Sequence, residues 1–218
     1  MTYKGGFGRP FLLDVWTTGT RMRLAAAFII TFASLTSAGA QTQPQAGMEH
    51  AQRAEAYARS FVAGFASDAM LHSVLRESTK SHSRLDWNEQ RALDRRWRDE
   101  AADRTKGGLV EAITQNAVSD WLEERRAEAP GGAITEILVI DGLGWNVGQT
   151  AMTADFFQGD ELQWQDILPN TEDAVIVSEL EENADGSGRD LAVVSLPIVS
   201  GPVNIGVITL GVDMRKIP

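Results

Sequence analysis

The chain has 218 residues, a formal net charge of −10, 43% hydrophobic residues and no cysteine. Its length and apolar content are those of one soluble globular domain. The lack of cysteine excludes disulfides, a thiolate nucleophile, a cysteine metal site and lipid attachment to a signal-peptide cysteine. The excess of negative charge repels phosphates and anionic lipids, so we expect no nucleic-acid partner and no membrane-surface role.

The N-terminal region has the pattern of a secretory signal peptide. Met22 and Arg23 precede an uncharged apolar run at 24–37, and the small residues Ala38-Gly39-Ala40 follow it. We therefore predict cleavage after Ala40. The alternative is a buried or membrane-anchoring helix, although this run of 14 residues is shorter than the ~20 that a membrane span needs.

Residues 1–21 precede this signal and add nothing that it needs. Either Met22 is the true start, or the signal has a long basic region that begins at Met1. Removal of residues 1–40 takes away four basic side chains and one acidic side chain, which moves the formal charge from −10 to −13. No second apolar run of membrane length follows, so we expect the mature protein to be periplasmic or secreted.

A polar segment at 41–47 is predicted to be a flexible linker, and residues 48–218 a single domain whose first part, 48–130, is helical. Ser78–Ser83 is expected to be a loop. Three helices are predicted. The first runs from Met48 to about Glu77, with Tyr57, Phe61 and Phe65 on its buried face, and the second from Trp87 to about Arg104, with Asp86 and Glu89 as a capping box. The third carries Val110, Ile113, Ala117 and Trp121 and ends at Pro130-Gly131-Gly132.

The second part of the domain, 131–218, has the pattern of a sheet. Short apolar runs rich in β-branched residues alternate there with turn residues, at 137–140, 174–177, 191–198 and 203–212. A short helix is expected near Asp160. Because the helices come first and an antiparallel sheet follows, the predicted fold class is α+β rather than α/β.

Two segments look like ligand loops but fit turns better. Gly142–Gly148 has the spacing G-x-G-x-x-x-G with no helix after it to receive a phosphate, and Asp141-Gly142 predicts a hairpin instead. Glu181–Gly188 begins like a calcium loop, but its twelfth position is Ala192, so the bidentate carboxylate is missing. We expect a solvated hairpin loop there.

The chain lacks the pattern of a hydrolase. His50, His72 and His82 all lie in the helical part, no G-x-S-x-G motif precedes them, and the separation of His72 and His82 is not a metal-ligand spacing. We expect solvated histidines, no metal site and no enzyme activity. A hydrolase built on Ser195 would need a base within hydrogen-bond distance of its Oγ atom.

One polar, aromatic cluster lies within the sheet region, at Asp155-Phe156-Phe157-Gln158-Gly159-Asp160-Glu161-Leu162-Gln163-Trp164. Its three carboxylates repel one another unless they are separated, solvated or paired with a cation, and its aromatic side chains supply apolar walls. The alternative is that Asp160 and Glu161 only mark the N-terminus of a helix, where the dipole favours negative charge. The cluster predicts a recognition site.

Several segments resemble extracytoplasmic Cache-type sensor domains, a PAS-like family; they are Ile134–Asp141, Gly144–Gly148, Thr153–Glu161, Pro197-Ile198 and Ile205–Asp213. The resemblance covers about 48–218. It implies long N-terminal helices packed on a five-stranded antiparallel PAS-like (Cache) sheet with a small-molecule pocket. The amino-acid-binding subset of the family carries an Arg-x-Trp-Tyr signature. No Tyr follows Trp97 here, so amino-acid binding is not supported.

The resemblance implies a small-molecule sensor that reports to a membrane-bound receptor, kinase or cyclase. We expect its pocket between the sheet and 155–164, without a cofactor. The expected ligand-binding residues are Asp155 as polar anchor, Trp97 and Trp164 as walls, and Arg98 or Asp160 as a charged group. An amine would suit the carboxylates, whereas a carboxylate ligand would suit Arg98.

The alternative function is a ligand-free interaction or structural protein with a PAS-like fold, whose sheet is a docking surface. For a sensor without a membrane span, the signal must pass through contact with another protein. We expect the first helix to supply that contact, or a homodimer seam, through the face that carries Arg53 and Arg59.

Overall fold

The chain forms a group of helices followed by a sheet. The computed structural model describes residues 44–103, 107–170, 173–178, 180, 181, 188 and 190–218, so the predicted signal peptide lies outside the described residues. The helices are α1 Pro44–Ala63, α2 Ala69–His82, α3 Trp87–Ala102, α4 Leu109–Thr114, α5 Ala117–Glu128 and α6 Leu162–Gln165. The strands are β1 Ile134–Asp141, β2 Asn146–Gln149, β3 Ile176–Val177, β4 Leu191–Ser200 and β5 Val203–Asp213.

The prediction of one long first helix is wrong. α1 begins at Pro44, inside the predicted linker, and ends at Ala63, and α2 begins at Ala69. Asp68 has extended backbone angles, and its Oδ1 atom accepts hydrogen bonds from the backbone N atoms of Met70 (2.8 Å) and Leu71 (3.3 Å). These bonds cap a new helix. Since α2 continues to His82, most of the predicted loop at 78–83 is helical.

The second predicted helix is confirmed at its start, and the third is divided. Asp86 Oδ1 accepts from the N atom of Glu89 (2.9 Å), and Glu89 Oε2 accepts from the N atom of Asp86 (2.8 Å), so the capping box of α3 is present. Asn116 separates α4 from α5. Its Oδ1 accepts from the N atom of Ser119 (2.8 Å) while its Nδ2 donates to the carbonyl of Val147 (2.9 Å). A contact with β2 thus stabilises a break that helical periodicity does not reveal.

The five strands form one antiparallel sheet in the order β2-β1-β5-β4-β3. The strands at the predicted runs are confirmed, and β2 completes the hairpin predicted at Asp141-Gly142. Gly144 in this turn has a φ of 93°, which favours glycine. Of the predicted loop Glu181–Gly188, residues 182–187 lie outside the described residues. Helices packed on a five-stranded antiparallel sheet confirm the α+β, PAS-like fold class.

Helices cover one face of the sheet, which we call the inner face. Buried apolar side chains of α1, α2 and α5 pack there on Ile137 and Val139 of β1 and on their neighbours in β4 and β5; among them are Ala58, Leu71, Leu75, Val118 and Leu122. The predicted stripe of Tyr57, Phe61 and Phe65 packs against this core. Within the described part of the chain, no helix is both long and apolar enough to cross a membrane.

Both arginines of the predicted partner face contact their own chain. Arg53 Nη2 donates to the carbonyls of Ile217 (3.3 Å) and Pro218 (3.2 Å), and Arg59 Nη2 donates to the carbonyl of Asp173 (2.7 Å). These bonds attach α1 to the residues after β5 and before β3. A partner that bound these side chains would first have to replace their intramolecular hydrogen bonds.

Candidate functional site

The second face of the sheet, which we call the outer face, carries buried polar residues. One row of paired residues crosses all five strands: Gln149, Leu138, Thr209, Ser195 and Ile176. Paired residues point to the same face of a sheet. Leu138 and Ile176 pack against the buried apolar side chains of Ile140, Ile167 and Val207, which we call the outer cluster. Gln149, Thr209 and Ser195 are only 2%, 3% and 1% exposed. Because buried polar groups cost free energy unless they are hydrogen-bonded, this row makes the outer face a candidate for a functional surface.

A β-bulge adds another polar side chain to this face. The register between β1 and β2 shifts between Val139 and Ile140, so β2 has one extra residue there. As a result Asn146 and Gln149 lie on the same face, and Asn146 Nδ2 donates to Gln149 Oε1 (3.2 Å) and Thr153 Oγ1 (2.8 Å). Asn146 Oδ1 and Gln149 Nε2 are buried and have no hydrogen-bond partner among the described residues.

Helix α3 fixes the segment 153–163, which crosses the outer face. The indole Nε1 of Trp97 donates to the carbonyl of Thr153 (3.1 Å), and the indole stacks on Phe156 at 5.4 Å between ring centroids. Asp94 Oδ1 accepts from the backbone N atoms of Phe156 (3.1 Å) and Phe157 (3.2 Å). The side chains of Trp97 and Asp94 on α3 therefore fix the position of this segment over the sheet.

A cavity of about 50 Å³ lies between this segment and the outer face, where the sequence predicts a pocket. Leu138 and Thr209 line it from the sheet. The segment contributes the other lining residues, which are Thr153, Ala154, Asp155, Gln158, Glu161 and Gln163. Since a water molecule needs roughly 10–15 Å³ of such space, the cavity suits a group of about four non-hydrogen atoms.

Asp155 lines this cavity, and the charge of its carboxyl group is not fully compensated. Its Oδ1 atom accepts from Gln158 Nε2 (2.7 Å). Burial is the main cause that raises the pKa of Asp155, and the nearby carboxylates of Asp94 and Asp160 raise it further, whereas Arg98 and Gln158 lower it. The raised pKa means that the site disfavours the charged form and would be stabilised by a cation.

Glu161 is the second carboxyl group of the cavity. Burial raises its pKa first, and the charges of Asp160 and Asp155 raise it further. Neither Asp155 nor Glu161 forms a salt bridge with a residue in the described ranges. The cavity therefore has two acidic lining residues, an arrangement that fits a donor-rich, positively charged group.

The structure brings one of the five predicted ligand residues into the cavity, and that residue is Asp155. Trp97 is fully buried and stacks on Phe156, so it holds the segment in place without lining the cavity. Arg98 is mostly exposed and pairs with Asp94, although its charge reaches Asp155. Asp160 is exposed beside Glu161. Trp164 donates from Nε1 to the carbonyl of Asp141 (3.0 Å) and packs against the outer cluster.

Sequence reasoning missed several lining residues. Gln158, Glu161 and Gln163 lie inside the predicted segment, but the sequence does not indicate which side chains of that segment face the cavity. Leu138 and Thr209 lie on two different strands, and only the pairing of β1 with β5 brings them together under that segment. A polar residue inside an apolar strand run, such as Thr209, was the available signal.

The expectation of solvated histidines is wrong for His82, whose side chain is 15% exposed. Its Nδ1 lies 2.8 Å from Oδ2 of the fully buried Asp141, and its ring stacks on Trp145 with 5.0 Å between centroids. Ser78 Oγ donates to the same Oδ2 atom (2.8 Å). In a catalytic triad the serine faces Nε2 and the acid faces Nδ1. Here both groups are on the Nδ1 side, so the arrangement is a structural link and not a nucleophile.

Ser195 also lacks the surroundings of a nucleophile. Its Oγ lies 2.9 Å from Oγ1 of Thr209, and one of these two hydroxyls donates to the other. No histidine or carboxylate forms a hydrogen bond to Ser195 within the part of the chain that the structure describes. The hydrolase interpretation therefore gains no support from this residue.

A comparison with solved structures finds seven similar chains, of which one is described here. No family model matches the chain, and no curated protein matches it. Among solved structures, the sensor domain of the histidine kinase DctB from V. cholerae is similar over 80% of this chain at 12% identity and a TM-score of 0.34. The match covers 59% of that sensor domain. A TM-score this low supports no conclusion about function.

Proposed function

We propose that this protein is an extracytoplasmic sensor domain that binds a small organic amine in the outer-face cavity and reports to a membrane-bound signalling protein. One observation carries the proposal: Asp155 and Glu161, two acidic residues without a salt bridge to any described residue, line the same small cavity. The location rests on the signal-peptide pattern before Ala40.

The charge distribution favours an amine over a carboxylate ligand. Burial and then neighbouring carboxylates raise the pKa of both cavity carboxyl groups, and an ammonium group would relieve both effects. Arg98, the cation that would attract a carboxylate, does not line the cavity and already pairs with Asp94.

The contacts around the cavity also suggest how binding would reach the helices. Trp164 follows the cavity residue Gln163 and donates to the carbonyl of Asp141, whose carboxylate binds Ser78 and His82 of α2. A ligand that moves the segment would thus act on α2 through Asp141. We propose that a signalling partner binds the surface that α2 helps to form, with higher affinity for one of the two states.

The test is a calorimetric titration of the full chain at pH 8 with n-propylamine and, separately, with propionate. The amine should bind and propionate should not, and Asp155→Asn should remove amine binding because the site loses its charged anchor. Asp99→Asn, an exposed change on α3, is the matched control and should bind as the wild type does. Binding of propionate but not of the amine would overturn the proposal.

A second candidate is a ligand-free interaction protein, and the small size of the cavity favours it. Ligand pockets usually measure ~300–1,000 Å³, far above the ~50 Å³ found here. If no amine shifts the thermal melt at any concentration up to 10 mM, this second function replaces the first. At 100 times its Kd a true ligand would add about 2.7 kcal/mol to the unfolding free energy.

A further inference from the structure

The outer face carries a third carboxyl group next to the cavity, that of Glu136. It lies two residues before Leu138 on β1, and alternate residues of a strand share one face. Its partner on β5 is Gly211, which lies two residues after Thr209. Leu138 and Thr209 both line the cavity. Glu136 is therefore two residues away from the cavity wall along β1, and its partner Gly211 is two residues away along β5.

Gly211 gives the side chain of Glu136 room to lie across β5. A Cβ atom on Gly211 would be 2.8 Å from Glu136 Cγ and 3.0 Å from Glu136 Oε1. The side chain of Glu136, together with the Thr135 hydroxyl, therefore occupies the place of the missing Gly211 side chain. Residues two apart on a strand are separated by about 6.6–6.8 Å, so this carboxyl group is roughly that far from the position of Thr209.

Glu136 resembles the two cavity carboxyl groups in its electrostatics. Burial, and then the charge of Glu181, raise the pKa of Glu136 to about 7. No salt bridge joins Glu136 to any residue whose position is described. Acidic groups thus occur in the cavity over Leu138 and Thr209 and at Glu136, the next same-face position along β1.

We propose that the ligand is a linear diamine, with one ammonium group between Asp155 and Glu161 and the second at Glu136. This inference rests on the proposed function, because it extends the same cavity. The methylene chain would lie over Leu138 and the Thr209 methyl group. Successive same-face positions of a strand lie roughly 6.6–6.8 Å apart, a span that is too long for 1,2-diaminoethane and close to the extended lengths of four- and five-carbon diamines.

The test compares diamines with monoamines of equal chain length by calorimetry of the full chain at pH 8. The probes are 1,4-diaminobutane against n-butylamine, and 1,5-diaminopentane against n-pentylamine. The wild type should prefer each diamine about tenfold, since a partly buried charged hydrogen bond contributes on that order. Glu136→Gln should bring the ratio to about one and leave monoamine affinity unchanged.

Two variants separate the possible failures. Asp155→Asn should weaken diamine and monoamine alike, whereas Glu77→Gln, an exposed carboxyl change on α2, should alter neither. Monoamine binding without a diamine preference, or a preference that survives Glu136→Gln, would overturn the diamine inference alone. If neither class of amine binds, the proposed function fails and the inference fails with it.

Discussion

His82 on α2 and Asp141 at the end of β1 are joined by a 2.8 Å contact between Nδ1 and Oδ2, across 59 positions of the chain. The same carboxylate accepts from Ser78 Oγ through Oδ2, and from the backbone N atoms of Leu143 (2.8 Å) and Trp145 (3.0 Å) through Oδ1. One fully buried side chain thus connects a helix of the inner face to the hairpin that borders the cavity.

Replacement of Asp141 should destabilise the protein strongly. Asp141→Ala leaves several buried donors without an acceptor, so we expect a loss of about 3 kcal/mol or more in the unfolding free energy. Urea denaturation followed by circular dichroism measures it. Asp99→Ala, at an exposed site, should change stability by under about 0.5 kcal/mol. A loss below about 1 kcal/mol for Asp141→Ala would show that this link is not structural.

Glu136 should make the stability of the free protein fall between about pH 4.5 and pH 7. Its pKa rises from 4.5 to about 7 in the folded state, so in this window the folded state binds more protons than the unfolded state. Ionisation then costs stability as the pH rises, and the full cost is present above pH 7. Glu136→Gln should remove it and stabilise the protein at pH 8 by up to about 3 kcal/mol.

Thermal melts of wild type and Glu136→Gln at pH 4.5 and pH 8 measure this difference. The two proteins should differ little at pH 4.5 and most at pH 8. Glu77→Gln is the control, because its side chain is 73% exposed and its melt should follow that of the wild type at both pH values. An equal effect of Glu136→Gln at the two pH values would contradict the assignment.

Trp97 should contribute to the stability of the protein without contacting the ligand. Trp97→Phe keeps most of the stacking on Phe156 but loses the hydrogen bond to the Thr153 carbonyl, so we expect a cost of about 1–2 kcal/mol. Trp97→Ala should cost about 3–5 kcal/mol. Urea denaturation checks both values. Trp87→Phe is a matched control, since Trp87 is 69% exposed and its replacement should be nearly neutral.

Asp155→Asn should separate stability from binding. Because burial and neighbouring carboxylates raise the pKa of Asp155, its charged form is disfavoured in the free protein, and the neutral amide should increase the melting temperature at pH 8. The same change should abolish the response to n-propylamine. A variant that melts at a lower temperature than the wild type would mean that Asp155 has a structural role that its hydrogen bond to Gln158 does not reveal.

The sequence by itself determined the features that depend on local interactions. Asp86 and Glu89 are three residues apart, so their capping box forms within one helical turn and marks the start of α3. Asp141-Gly142 predicts the first hairpin for the same reason. Alternation of apolar runs with turn residues predicts the strands, and helices before strands predict the α+β class. The segment around Asp155 could also be located, since its carboxylates and aromatic residues are adjacent in the chain.

The tertiary structure decided everything that depends on strand register and on contacts between distant residues. The bulge in β2 puts Gln149 on the same face as Leu138, and a shift of one residue would have sent that side chain to the opposite face. Pairing of β1 with β5 places Thr209 beside Leu138 and Gly211 beside Glu136. The break of the first helix at Asp68 similarly places His82 against Asp141. These positions follow from packing of the whole sheet, whose free energy is distributed over many distant contacts that no local pattern records.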